Sequence, residues 1–177
     1  MAELTVDVGV EKVKILIGPS FFGNSHVGFF HGVGTDEHSG IGFVVKHSTT
    51  YCHRAHMAIG MGTNIRAELM ALCGLLYQSR CLNTQDFIIV GDSKVVVDWF
   101  NGQVDLNVMI LQAWKFRSED LHSKFTSIKA FHIHRVYNSP TDKHSKIGLS
   151  SQIGVLVGFS TQIPGVLCMF YEHVVCM

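Results

Sequence analysis

The firmest constraint in this chain is a change of hydrophobic period at Thr63. Upstream, HVGFFHGVG and IGFVVKH are short apolar runs separated by the turn-rich TDEHSG, and a third run covers Thr50 to Ile59. Runs of this length between turn formers read as strands, here three in an antiparallel meander. Downstream, in TNIRAELMALCGLLYQS, Ile65, Leu69, Leu72 and Leu76 recur at helical spacing. Thr63 or Asn64 can cap that helix, since both side chains accept from its exposed amides. The period then alternates. FIIVGD reads as a strand and SKVVVDWFNG as a helix stopped by Asn101-Gly102. A longer helix covers Val108 to Lys124, a strand covers Ser127 to His134, and a last helix starts near SPTDKHSK. The order β-β-β-α-β-α-α-β-α describes an α/β domain: a mixed five-stranded sheet with helices on its faces.

Composition narrows what such a domain does. With 177 residues, 47% of them hydrophobic, the chain suits one domain that buries roughly 70% of its extended surface. The divisions expected are an N-terminal extension over 1–26, the α/β domain over 27–149 and a C-terminal extension over 150–177. Fourteen basic residues balance fourteen acidic ones, which excludes a globally basic nucleic-acid binder and a charged disordered tail. Charge is nevertheless uneven. Between Gln112 and Ser150, Lys115, Arg117, Lys124, Lys129, Arg135, Lys143 and Lys146 face only Glu119, Asp120 and Asp142. The five cysteines are odd in number and form no C-x-x-C pair, so reduced thiols in a cytoplasmic or nuclear protein are expected. The opening MAELTVDVGVEKVK has no apolar signal-peptide core. Ile147 to Tyr171 is uncharged and long enough to cross a bilayer, yet Ser150, Ser151, Gln152, Ser160, Thr161, Gln162 and Pro164 interrupt it, so no membrane span is expected.

Three carboxylates carry the chemical interest, and each has a structural alternative. Glu68 lies about 60° from Ile65 and about 40° from Leu72 on a helical wheel, at the edge of the apolar stripe. It either turns inward, where it needs a cation or donors, or reaches back to water or to Arg66 or Lys94. Asp92 ends the strand FIIV, where the carboxyl ends of α/β sheets form ligand crevices; as an N-cap it would compete with Ser93. Asp142 falls at the third position of a helix with Ser139 as cap and Pro140 first, where an acid complements the helix dipole.

Taken in order, TNIRAEL, VGDSKVVVDW and HIHRVYNSPTDKHSK resemble the ribonuclease H family. The likeness is greatest to plant ribonuclease H-like domains related to retrotransposon proteins, and it spans about residues 27–149. TN-x-R-x-EL on a helix and GDS-x-x-V after a strand carry it, with R-x-x-N-x-x-x-D-x-x-SK marking the plant subgroup. The resemblance implies a hydrolase: an endonuclease that cuts the RNA strand of RNA–DNA hybrids with two Mg²⁺ ions, or Mn²⁺. It also implies that Glu68, Asp92 and Asp142 are catalytic metal ligands, and that Thr63, Asn64, Ser93 and Asn138 contact nucleic acid. Asn138 can alternatively start the turn before Pro140.

Two positions depart from that family. Its first strand ends in Asp-Gly, whereas this chain has Phe29-Phe30-His31-Gly32. A neutral imidazole brings no negative charge and cannot bridge two Mg²⁺ ions, which prefer oxygen ligands. Ile65 replaces a second Asn expected before the helical Glu, weakening contacts that tell RNA from DNA. Two classes therefore stand: an enzyme with impaired hybrid cleavage, or a non-catalytic nucleic-acid-binding or protein-interaction module on the same fold. His132, His134 and His144 offer either a zinc set or residues flanking a nucleic-acid surface. Trp99 and Trp114 read as core. The tail 150–177 matches no part of the family pattern and reads as a new strand pair, an oligomer contact or read-through of non-domain sequence; it is expected to pack loosely and to be removable.

Overall fold

The computed structural model describes residues 26–160 in full, apart from residues 36, 49 and 50 and the side chain of residue 140. Elsewhere it describes only the backbone of strand residues within 2–17 and 161–172. Strands β1 (Ala2–Val8) and β2 (Glu11–Ile17) pair antiparallel as a separate two-stranded sheet. The three expected strands follow as β3 (His26–Gly34), β4 (Ser39–Lys46) and β5 (Tyr51–Gly60). Helix α1 (Asn64–Cys81), strand β6 (Asp86–Gly91), helix α2 (Lys94–Phe100), helix α3 (Gln112–His122), strand β7 (Ser127–His132) and helix α4 (Ser139–Leu149) complete the expected order. A 3-10 turn at Met109–Leu111 precedes α3.

The mixed sheet runs β7-β6-β3-β4-β5 and continues through β8 (Leu156–Gln162) and β9 (Val166–Glu172), so it has seven strands rather than five. β3, β6 and β7 are parallel; the other neighbours are antiparallel. Of the open readings of the tail, the strand pair is the one found, and only the expected loose packing differs. β8 pairs along β5 from Tyr51 to His56, and Leu156 is buried in the main core. An open β5 edge would expose a row of unpaired backbone groups, and β8 covers it. No described helix is long and apolar enough to cross a membrane; the uncharged stretch after Ile147 holds the end of α4 and these two strands.

Alternation along the strands sorts residues onto two buried faces. Phe30, Ile41, Phe43, Phe87 and Ile89 meet Leu69, Leu72, Leu75 and Leu76 of α1 on one face, with Trp99 in the same cluster and Trp114 packed against it. Val27, Phe29, Val44, Val90 and Ile133 cluster on the other. Helix α4 lies there because glycines let it approach: a Cβ on Gly42 would sit 2.4 Å from the Ser145 nitrogen. His31 pairs with Gly42 across the strands, so its side chain faces α4.

Candidate functional site

His31 sits near the carboxyl end of β3, beside the end of its parallel neighbour β6. The chain turns out of β6 at Asp92, where the crevice of a parallel sheet opens. Gly32 brings α1 into the same place, since a Cβ there would lie 2.1 Å from the Ala67 carbonyl carbon. That contact sets Glu68 over the strand end, and α4 supplies Asp142 from the opposite face.

The three carboxylates converge on the His31 ring. Nδ1 lies 2.9 Å from Glu68 Oε1 and 3.0 Å from Asp92 Oδ1, and Nε2 lies 3.3 Å from Asp142 Oδ1. The ring is buried, and so is Glu68, whose Oε2 has no hydrogen-bond partner. Arg66 and Lys94, the alternative partners for Glu68, turn elsewhere: Arg66 donates to the Met61 carbonyl and Lys94 to Asp98.

Asp142 has two further cations, Arg135 at 2.8 Å and Lys146 at 2.5 Å. It stands one helical position later than expected, because Asn138 rather than Ser139 caps α4. The Asn138 side chain makes no capping bond. It is fully buried, and its amide donates to the Phe30 carbonyl and to Asp92 Oδ1 while its oxygen accepts from Thr141. Expected at a nucleic-acid surface, Asn138 instead holds Asp92 in place.

The charges respond to one another. Burial alone would push His31 down, but hydrogen bonds and charges from Asp92 and Glu68 outweigh it and raise its pKa from 6.5 to about 9. Burial also pushes Asp92 up, yet His31 and Asn138 hold it below the usual carboxylate range. Glu68 is raised, because its burial outweighs the help from His31. Asp142 is lowered, the ion pairs with Lys146 and Arg135 outweighing burial.

His31, Glu68 and Asp92 each offer a ligand atom within 4.8 Å of the others. The set does not fit the pair of Mg²⁺ ions that the sequence resemblance implies. Nδ1 bonds to carboxylate oxygen, which only accepts, so it carries a proton and not a lone pair for a metal, while the buried Nε2 makes no hydrogen bond although Asp142 Oδ1 lies 3.3 Å away. A ligand shell with Mg–O near 2.1 Å needs the space between the carboxylates that the ring fills.

Around this centre, Thr63 caps α1 by accepting from the Arg66 amide, and the exposed Asn64 accepts from the Gly34 amide at 2.6 Å. Ser93 precedes α2 without a side-chain capping bond. The zinc alternative fails among the described residues: His132 contacts the Asp92 carbonyl, His134 is exposed, and His144 stacks on His56. The basic stretch is partly spent. Lys115 is buried on Asp105 and the Leu106 carbonyl, Lys124 pairs with Asp120, and Arg117 lies over Trp114. A cavity of about 190 Å³ lined by Tyr51, His53, Gln78, Leu156 and Ser160 involves none of the three carboxylates.

A family model described as reverse transcriptase-like matches residues 29–148. Among solved structures, the ribonuclease H1 of the halophilic archaeon Halobacterium salinarum is 23% identical, with a TM-score of 0.65 over 71% of this chain and 98% of that one. An N-terminal ribonuclease H domain from Mycobacterium tuberculosis is 24% identical, with a TM-score of 0.64 over the same shares. The LC11 ribonuclease H1, solved with an RNA/DNA hybrid, is 18% identical, with a TM-score of 0.66 over 71% of this chain and 96% of that one. Likenesses at this identity establish the fold. A search of curated proteins finds no match.

Proposed function

Because the chain belongs to the reverse transcriptase-like family, we propose that it is a ribonuclease H-type domain that binds nucleic acid, with an RNA–DNA hybrid as its partner. Its divalent-metal cleavage of the RNA strand is suppressed by His31. The observation that carries this reading is the convergence of Glu68, Asp92 and Asp142 on the His31 ring at the carboxyl ends of β3 and β6, the position at which the sequence resemblance implies a bridging Asp. The hybrid bound to the LC11 enzyme supports the partner. Asn64, Thr63 and Ser93 border the crevice and supply polar contacts to the sugar–phosphate backbone, while the half-exposed Ile65 offers a groove no donor. We also assign the chain, on its R-x-x-N-x-x-x-D-x-x-SK segment, to the plant retrotransposon-related subgroup, acting in the cytoplasm or nucleus.

With Lys115, Lys124, Arg135 and Lys146 paired internally, Lys129 and Lys143 carry most of the attraction for phosphate. Binding is therefore weak. Anisotropy of a labelled hybrid should give a slope of log affinity against log salt of about −2 to −4, equivalent to two to four phosphates. Absence of binding even at low salt would exclude the reading. One observation favours a protein-interaction module instead: Met109, Ile110 and Phe116 are 90%, 70% and 66% exposed near the start of α3. Charged replacements there leave hybrid binding unchanged if the first reading holds.

A further inference from the structure

We infer that His31 is a resident cation that takes the place of the metal pair, so that this chain holds its carboxylates together without any divalent ion. The inference rests on the family assignment above and concerns the same site, but it does not depend on hybrid binding.

Its ground is the placement of one ring among three acids. Glu68 and Asp92 reach the same nitrogen, at 2.9 and 3.0 Å, and Asp142 faces the other at 3.3 Å. Two buried carboxylates this close repel unless a positive charge stands between them. The sequence resemblance assigns that charge to metal in the family; here the His31 ring, donating from Nδ1, supplies it from within the chain. Arg135 and Lys146 complete the balance on Asp142, so three carboxylates meet three cations. A single ring covers less than two ions would, and the uncovered part is visible as Glu68 Oε2 and His31 Nε2, both buried without a hydrogen-bond partner. The ring is also fixed in position. Asn138 holds Asp92 Oδ1 at 2.6 Å, and Gly32 presses β3 against α1 where Glu68 begins its reach.

If the ring substitutes for metal, metal should in turn substitute for the ring. The test uses thermal melting of the full chain without nucleic acid, in chelator, in Mg²⁺ and in Mn²⁺. The unmodified protein should melt at the same temperature in all three. His31→Asp, which adds a fourth carboxylate, should melt lower in chelator and gain about 5 °C or more with saturating Mn²⁺. His31→Ala should also melt lower and recover part of the loss with Mn²⁺. Adding Asp92→Asn should abolish both recoveries. An Asp92-dependent rise in the unmodified protein would overturn the inference, because the ring would then be a ligand or easily displaced. Failure of Mn²⁺ to stabilise either variant would overturn it as well, the ring being packing and no more. Should His31→Ala not fold, His31→Asn takes its place under the same criteria. Hybrid binding is measured separately, so loss of that reading leaves these outcomes intact.

Discussion

The buried amide of Asn138 donates to Asp92 Oδ1 at 2.6 Å and to the Phe30 carbonyl at 2.8 Å, tying the start of α4 to two central strands at once. The residue therefore positions a charged group from a place where no water can substitute for it. Hydrogen bonds to charged groups contribute about 1.5–3 kcal/mol, and leaving the partner unsatisfied adds to the loss. Asn138→Ala should lower stability by about 2–3 kcal/mol and the melting temperature by about 4–10 °C. Asn138→Asp, which sets a carboxylate against Asp92, should cost more. A shift under about 1 °C in either variant would show that the amide holds nothing.

Acid should destabilise the fold through half-buried histidines that face other bases. Burial, then the neighbouring His26 and His53, lower His47 to about 4. Burial, then His56, Arg54 and Lys143, lower His144 to about 4. A group depressed in the folded state binds its proton first in the unfolded chain, so stability falls as pH drops from about 6.5 towards 4. His31 has the opposite sign. Its stabilisation is full below 6.5 and is lost as pH rises through about 9. Chemical denaturation across pH should show both limbs, and His31→Asn should remove the alkaline one. A flat acid limb would contradict the histidine assignments.

The order of elements was legible in the sequence because each change of period is local: HVGFFHGVG and IGFVVKH are short apolar runs between turn formers, while Ile65, Leu69, Leu72 and Leu76 recur at helical spacing. The three acids were legible as a set only through resemblance, since each alone has an ordinary structural use. The role of His31 was not legible. Its partners lie on three other elements, and which way the ring points depends on the parallel β3–β6 register and the close approach at Gly32. Gly32 immediately after a buried polar residue was the available signal. The buried bonds of Asn138 were not legible for a related reason: locally an Asn before Ser-Pro reads as a turn former, and its partners, Phe30 and Asp92, lie far back in the chain. A strand pair was one reading of the tail, but its docking on the core was not legible because the partner, β5, lies far back in the chain and Gly154 and Gly158 break the apolar pattern.

Removing residues 150–177 should therefore cost more than a loose tail would. Truncation after Leu149 deletes β8, uncovers the β5 edge and takes Leu156 out of the core. Loss of one buried Leu alone costs about 2–5 kcal/mol. The truncated chain should melt at least about 5 °C lower and less cooperatively, and should aggregate through the open edge. An unchanged melting curve would mean that β8 adds nothing to the core.

The unmodified protein should cleave an RNA–DNA hybrid very slowly or not at all with Mg²⁺, and His31→Asp should raise the rate. The ground is charge. Glu68, Asp92 and Asp142 neutralise at most three of the four positive charges on two Mg²⁺ ions, and the ring that stands among them is itself cationic. Replacing it with a carboxylate removes a repulsive charge and adds a bridging ligand in one step. Transition-state stabilisation of this kind is worth several kcal/mol, so a gain of about 100-fold or more is expected. Ile65, which is unchanged in the variant, should keep the recovered activity poorly selective between an RNA and a DNA strand. Both proteins are assayed with Mg²⁺ and with Mn²⁺, and Asp92→Asn reports contaminating nuclease. Asp92-dependent cleavage by the unmodified protein at a rate matching His31→Asp would show that the ring does not block the site. No gain in His31→Asp would place the lesion elsewhere, with the pairing of Asp142 to Arg135 and Lys146 the next contact to remove.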